Sequence, residues 1–239
     1  MHYGYLGYLL FMLPALLLGL YAQIMVKVNY SRYSKVISRS GLTGREAAER
    51  VLQMNGVGGV RIGRVGGTLT DHYDPRSNSI NLSQGVYDSA TVAAIGVAAH
   101  EAGHAVQYAK NYAPIKLRMA IIPVCNIGTR LGPLLIILGF FLSYMAESMI
   151  TVGNTLYFIG LILFCTVALF QLVTLPVEFN ASRRGLKMLT DGGYISYGSE
   201  EQAARKVLRA AAMTYVVAAL STFLTFLRLV MMASRNRRR

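Results

Sequence analysis

The sequence has no tryptophan, only two cysteines and few acidic residues: 11 Asp and Glu against 24 Lys and Arg in 239 residues. Cys125 and Cys165 both fall in or beside apolar stretches, which argues against a disulfide framework or a thiolate metal site. Charged residues make up 15% of the chain and hydrophobic residues 54%, whereas soluble domains average about 25% charged. That balance excludes intrinsic disorder and argues against an ordinary soluble domain.

The lack of charge is concentrated in four places. No Lys, Arg, Asp or Glu occurs in residues 1–26, 131–146, 148–177 or 210–227. A helix crossing a bilayer needs about 20 apolar residues, so the 131–146 run must borrow neighbours from 127–129 and the other three are long enough. The expectation is a mainly α, multi-pass membrane protein with about four membrane helices and the lipid bilayer as a partner. The net charge of +13 raises nucleic acid as an alternative. However, the basic residues flank the apolar runs and do not interleave with aromatics on one soluble face, so no nucleic-acid partner is expected.

Charge order predicts the topology. Met1-His2-Tyr3-Gly4-Tyr5 contains no basic residue, and Lys27, Arg32, Lys35 and Arg39 follow the first apolar run. This is the layout of an uncleaved anchor with its N-terminus outside. Residues 27–118 hold 12 of the 24 basic residues, the connection at 147–154 holds none, and Arg183, Arg184, Lys187, Arg205, Lys206 and Arg209 follow the third run. The positive-inside rule therefore puts 27–118 and 183–209 in the cytoplasm and the intervening connection outside. A crossing by 210–227 would carry Arg235, Arg237, Arg238 and Arg239 outward, and Arg228 interrupts that segment. A tilted, re-entrant or interfacial helix is the alternative there.

Within 27–118, Thr43-Gly44-Arg45-Glu46 has the spacing of a capping box, and Asn55-Gly56 supplies a stop. Residues 60–65, 68–73 and 79–83 are short runs rich in β-branched residues, separated by Gly66-Gly67 and by Asp74-Pro75-Arg76-Ser77-Asn78. They predict a small antiparallel sheet. Asp88-Ser89 offers an N-cap for a long helix over 90–110, whose many Ala and Gly residues permit close backbone approach.

That helix contains His100-Glu101-Ala102-Gly103-His104. Histidines at i and i+4 share a helical face and can reach one ion. The intervening Glu101 can exchange a proton with an attacking water and a leaving amine. In a chain of this composition the pattern arises by chance about twice per thousand sequences. The alternative is a polar cluster satisfied within a helix bundle, costly to bury in a helix of Ala, Gly and Val. A catalytic Zn2+ needs a third protein ligand. His2 would lie on the wrong side of the membrane, whereas Glu178 at the end of the third apolar run returns to the face of the His helix. A salt bridge from Glu178 to Arg183 or Arg184 is the competing role, and His72 and Asp191 are fallback ligands.

Three stretches resemble the YugP-type membrane zinc metallopeptidases of bacteria: His100 to His104, Leu69-Thr70-Asp71-His72-Tyr73-Asp74-Pro75, and Val177-Glu178-Phe179-Asn180-Ala181-Ser182-Arg183-Arg184. The likeness extends over essentially the whole chain. More distantly the chain is similar to the HtpX and CAAX prenyl protease group, gluzincins whose third ligand is a Glu in Glu-Phe-x-Ala-Asp. Here Ser182 stands in place of that Asp. The resemblance implies a zincin-like α+β element, a strand near Asp71, His72 and Tyr73 that pairs with extended substrate, and an oxyanion role for His72 or Tyr73, with Tyr197 and Tyr215 as further candidates.

The resulting division is 1–26 as N-terminal membrane anchor, 27–118 as cytoplasmic catalytic region, 119–176 as membrane hairpin, 177–209 as a cytoplasmic segment with the third ligand, and 210–239 as C-terminal apolar helix and basic tail. The expected protein is a plasma-membrane zinc endopeptidase acting on protein or peptide substrates, with a membrane protein as a further partner. A zinc-binding scaffold without turnover is the main alternative. A channel or transporter is the other, resting on Arg130 and Arg228 as charges in or beside apolar runs.

Overall fold

The computed structural model describes the backbone of residues 5–236 and the side chains of 12–234. His2, Arg237, Arg238 and Arg239 and the side chain of Arg235, which entered the sequence expectations, lie outside the described residues. In chain order the elements are α1 (Tyr5–Tyr33), α2 (Gly44–Met54), β1 (Arg61–Val65), β2 (His72–Asp74), β3 (Ser79–Ser83), α3 (Gln84–Tyr87), α4 (Val92–Ala109), α5 (Ala113–Met145), a 3-10 turn at Glu147–Met149, α6 (Ile150–Asp191) and α7 (Ser199–Asn236). The architecture is mainly helical. Four helices, α1, α5, α6 and α7, are long and apolar enough to cross a membrane. At 1.5 Å per residue α6 runs about 63 Å, roughly twice the hydrocarbon thickness of a bilayer, so one continuous helix carries both an apolar run and the polar segment that begins at Glu178.

The chain divides into two compact units. One comprises the described residues up to Gly19, Leu117–Thr174 and those from Tyr215 onward. Here α5 and α6 meet through glycines: a Cβ on Gly139 would lie 2.5 Å from the Gly153 carbonyl oxygen, and one on Gly160 would lie 2.8 Å from that of Gly132. Small residues at such seams let membrane helices pack backbone to backbone.

The other unit comprises Leu20–Lys116 and Leu175–Thr214. Its core is built from Ala47, Val51 and Leu52 of α2, Ile80 and Leu82 of β3, Val92, Ile95, Ala99, Ala102 and Val106 of α4, Leu186 and Leu189 of α6, and Ala204 and Leu208 of α7. The expected capping box is present: the Thr43 hydroxyl accepts from the Glu46 N–H, and the Glu46 carboxylate accepts from the Thr43 N–H at 2.8 Å.

The sheet differs from the antiparallel arrangement expected. Its order is β1-β3-β2, with β1 parallel to β3 and β2 antiparallel to it. Residues 66–71 do not form a tight hairpin. The Thr70 hydroxyl donates to the Gly66 carbonyl, and Asp71 accepts from the Ser83 N–H at 2.7 Å, which carries β2 to the far side of β3. The second strand is accordingly His72–Asp74, shorter than the 68–73 run. The start of α4 also moves: its N-cap is Thr91, whose hydroxyl accepts from the Ala94 N–H, because Asp88 instead ends α3.

Candidate metal centre

Helix α4 is buried on nearly all sides, which its Ala, Gly and Val residues permit. The polar part of α6 packs directly on it. A Cβ on Gly103 would lie 2.5 Å from the Ala181 carbonyl oxygen, and one on Gly185 would strike the Ala99 carbonyl oxygen. With no side chain between the two backbones, side chains flanking the contact meet directly. His100 and His104 project from one helix, and Glu178 and Ser182, also one turn apart, from the other.

The two imidazole rings stand edge to face with centroids 4.7 Å apart. Oε2 of Glu178 lies 3.3 Å from His100 Nε2 and 3.5 Å from His104 Nε2. Ligands held about 2.0–2.1 Å from one tetrahedral ion are separated by roughly 3.3 Å, so these distances are those of a ligand set. Among the described residues, His100, His104 and Glu178 form the group able to hold a metal. His72 and Asp191 stand outside it, and Asp191 pairs with Lys187.

The far nitrogens are also engaged. His100 Nδ1 lies 2.9 Å from the Ser182 hydroxyl, and His104 Nδ1 lies 3.1 Å from Gln107 Oε1. Ser182 thus meets a histidine of the candidate metal group. Gln107 was missed in the sequence. The available signal was a lone amide three residues beyond His104, on the same face of an otherwise apolar helix. Glu101, 8% exposed, has no side-chain hydrogen bond or ion pair among the described residues.

The residues around β2 differ in their contacts. Both Asp71 oxygens accept from the Ser83 hydroxyl, at 3.0 and 3.1 Å, so this carboxylate anchors the segment entering β2. His72 is exposed, with Nδ1 2.8 Å from the Thr70 carbonyl. The Tyr73 hydroxyl donates to Asn78 Oδ1 at 2.8 Å, and its ring packs on Tyr108 with centroids 5.4 Å apart. Burial, with Tyr108 and Asp74 nearby, raises the Tyr73 pKa above the ordinary phenol value. Tyr197 is 71% exposed and Tyr215 36%.

Over residues 8–234 the chain matches the family described as "Putative neutral zinc metallopeptidase". The chain belongs to this family. It is 44% identical over 225 residues, 94% of this chain and 96% of the relative, to the Bacillus subtilis (strain 168) protein named "Putative membrane protease YugP". No solved structure matches it.

The family implies zinc, and the donor chemistry fits. Both ring nitrogens of His104 face acceptors, Gln107 Oε1 on one side and Glu178 Oε2 on the other. A neutral imidazole has a single N–H, so a cation, either a proton or a metal, belongs between His104 Nε2 and Glu178. A carboxylate 3% exposed would be costly to bury without such a charge. Two imidazoles and one carboxylate form an established zinc set that leaves a fourth position open.

Proposed function

We propose that the protein is a multi-pass zinc endopeptidase of the bacterial plasma membrane that hydrolyses membrane-associated proteins or peptides at a site facing the cytoplasm. The observation that carries this reading is the convergence of His100, His104 and Glu178, with Glu101 next to His100 on α4. When bound, zinc supplies a Lewis acid that polarises the scissile carbonyl and acidifies water. Glu101 takes the proton of the attacking water and returns it to the departing amine nitrogen, a role that suits a carboxylate with no protein partner.

Substrate docking falls to β2, an edge strand in the order β1-β3-β2 that packs against α4. An extended peptide adds to such an edge through main-chain hydrogen bonds, with little sequence preference. His72, exposed on that strand, is positioned to touch it, while Asp71 and Tyr73 hold the strand in place. The cytoplasmic orientation is supported by the basic residues at 27–118 and 183–209. The bilayer, a protein or peptide substrate and a membrane protein are the partners of this reading, and nucleic acid is not.

Metal analysis of the purified protein tests it. The expected result is about one zinc per chain, lost when both His100→Ala and His104→Ala are introduced. Full zinc occupancy in that double variant would overturn the assignment.

A further inference from the structure

The geometry points to Gln107 as the positioning residue that holds a proton of His104 on Nδ1 and so turns Nε2 toward the cation position beside Glu178. The inference rests on the metal-site reading above and extends it to a residue that touches neither metal nor substrate.

Gln107 is fully buried in a helix of small apolar residues, where an unsatisfied amide would be costly. It is satisfied: Nε2 donates to the Val177 carbonyl at 2.8 Å and to Asn180 Oδ1 at 3.0 Å, and Oε1 faces His104 Nδ1 at 3.1 Å. The direction of this chain is set at its far end. Arg184 Nε donates to Asn180 Oδ1 at 2.7 Å, and a guanidinium can only donate. Asn180 must therefore present its oxygen to Gln107, which must present its NH2 in return. The Val177 carbonyl independently demands the same amide orientation. Turning the Gln107 amide over would oppose its oxygen to both of these acceptors. What remains for His104 is an acceptor, so Nδ1 carries the hydrogen.

His100 is held differently. Its partner Ser182 has a hydroxyl that can donate or accept, so that contact does not select a tautomer. The residues that prepare His104 through Gln107, Asn180 and Arg184, lie in the same α6 segment as Glu178, so seating α6 against α4 brings the third ligand and sets the second in one step.

The test uses the full-length protein in detergent with histidine labelled with nitrogen-15. In metal-free wild type at mildly alkaline pH, the imidazole nitrogen shifts of His104, assigned by its loss in His104→Ala, should report a protonated Nδ1, whether or not a second proton bridges Nε2 and Glu178. Gln107→Leu should give a tautomer mixture and zinc affinity weaker by about 10- to 100-fold in chelator competition. Asn180→Ala removes one of the two bonds donated by Gln107 while the Val177 carbonyl still orients the amide, and should keep Nδ1 protonated and most of the affinity. An unprotonated Nδ1 in wild type overturns the proposal. Equal losses of zinc in Gln107→Leu and Asn180→Ala also overturn it, because Gln107 would then act only as a clamp between helices. An Nδ1–H wild type that binds no zinc contradicts the metal reading while leaving the hold of Gln107 on His104 standing.

Discussion

Gly103 and Ala181 stand where α4 and α6 pack backbone to backbone, and a Cβ on the glycine would lie 2.5 Å from the alanine carbonyl oxygen. Everything in the candidate site depends on that proximity, because His100 and His104 flank Gly103 on one helix while Glu178 and Ser182 flank Ala181 on the other. Gly103→Ala should force the helices apart, destabilise the protein by about 1–3 kcal/mol and lower zinc occupancy. Gly58→Ala, where an added Cβ meets nothing within 4 Å, is the matched control. Thermal unfolding in detergent together with metal content checks the pair, and a Gly103→Ala protein indistinguishable from the control would refute the close-packing argument.

Glu178 separates a ligand from an ordinary ion pair. An exposed pairing with Arg183 or Arg184 would contribute roughly 0–1 kcal/mol, whereas a ligand lowers the charge of the ion and completes its set. Glu178→Gln should therefore lose most zinc and nearly all cleavage while still inserting into membranes. Measured zinc affinity equal to wild type would place the third ligand elsewhere.

The capping box ties stability to pH. Hydrogen bonds from the Thr43 backbone and hydroxyl hold the Glu46 carboxyl below its ordinary pKa. Its contribution is therefore fully present above the ordinary carboxylate value and is lost as pH falls through the depressed one. Thr43→Ala should cost about 1 kcal/mol at neutral pH, with the difference from wild type shrinking in acid. A difference that grows on acidification would contradict this assignment.

Orientation can be read with single cysteines in a background lacking Cys125 and Cys165. Ser148 and Ser199 are both exposed. Ser148→Cys should react with an impermeant maleimide on intact cells, and Ser199→Cys only after lysis. The reverse pattern would place the site outside.

Much of this was legible in the sequence because its cause is local. Thr43 with Glu46 fixes the start of α2, the uncharged runs mark the long helices, and His100 and His104 share a face by helical spacing alone. Glu178 lies 74 positions beyond His104, so no local spacing rule could place it. Topology and family likeness did. The sheet was misread because Gly66-Gly67 looks like a hairpin turn, whereas a nonlocal bond from Ser83 to Asp71 draws β2 across to the other edge of β3. Gln107 escaped because its partners, Val177 and Asn180, lie on a distant helix, and a single amide in an apolar helix shows nothing of what it will meet.

The most direct measurement is the rate of casein cleavage by Glu101→Gln compared with wild type, at matched zinc content. The substitution keeps the shape of the side chain and should leave zinc bound, but it removes the proton acceptor. The account predicts a fall of at least about a hundredfold. Undiminished cleavage with zinc in place would contradict it.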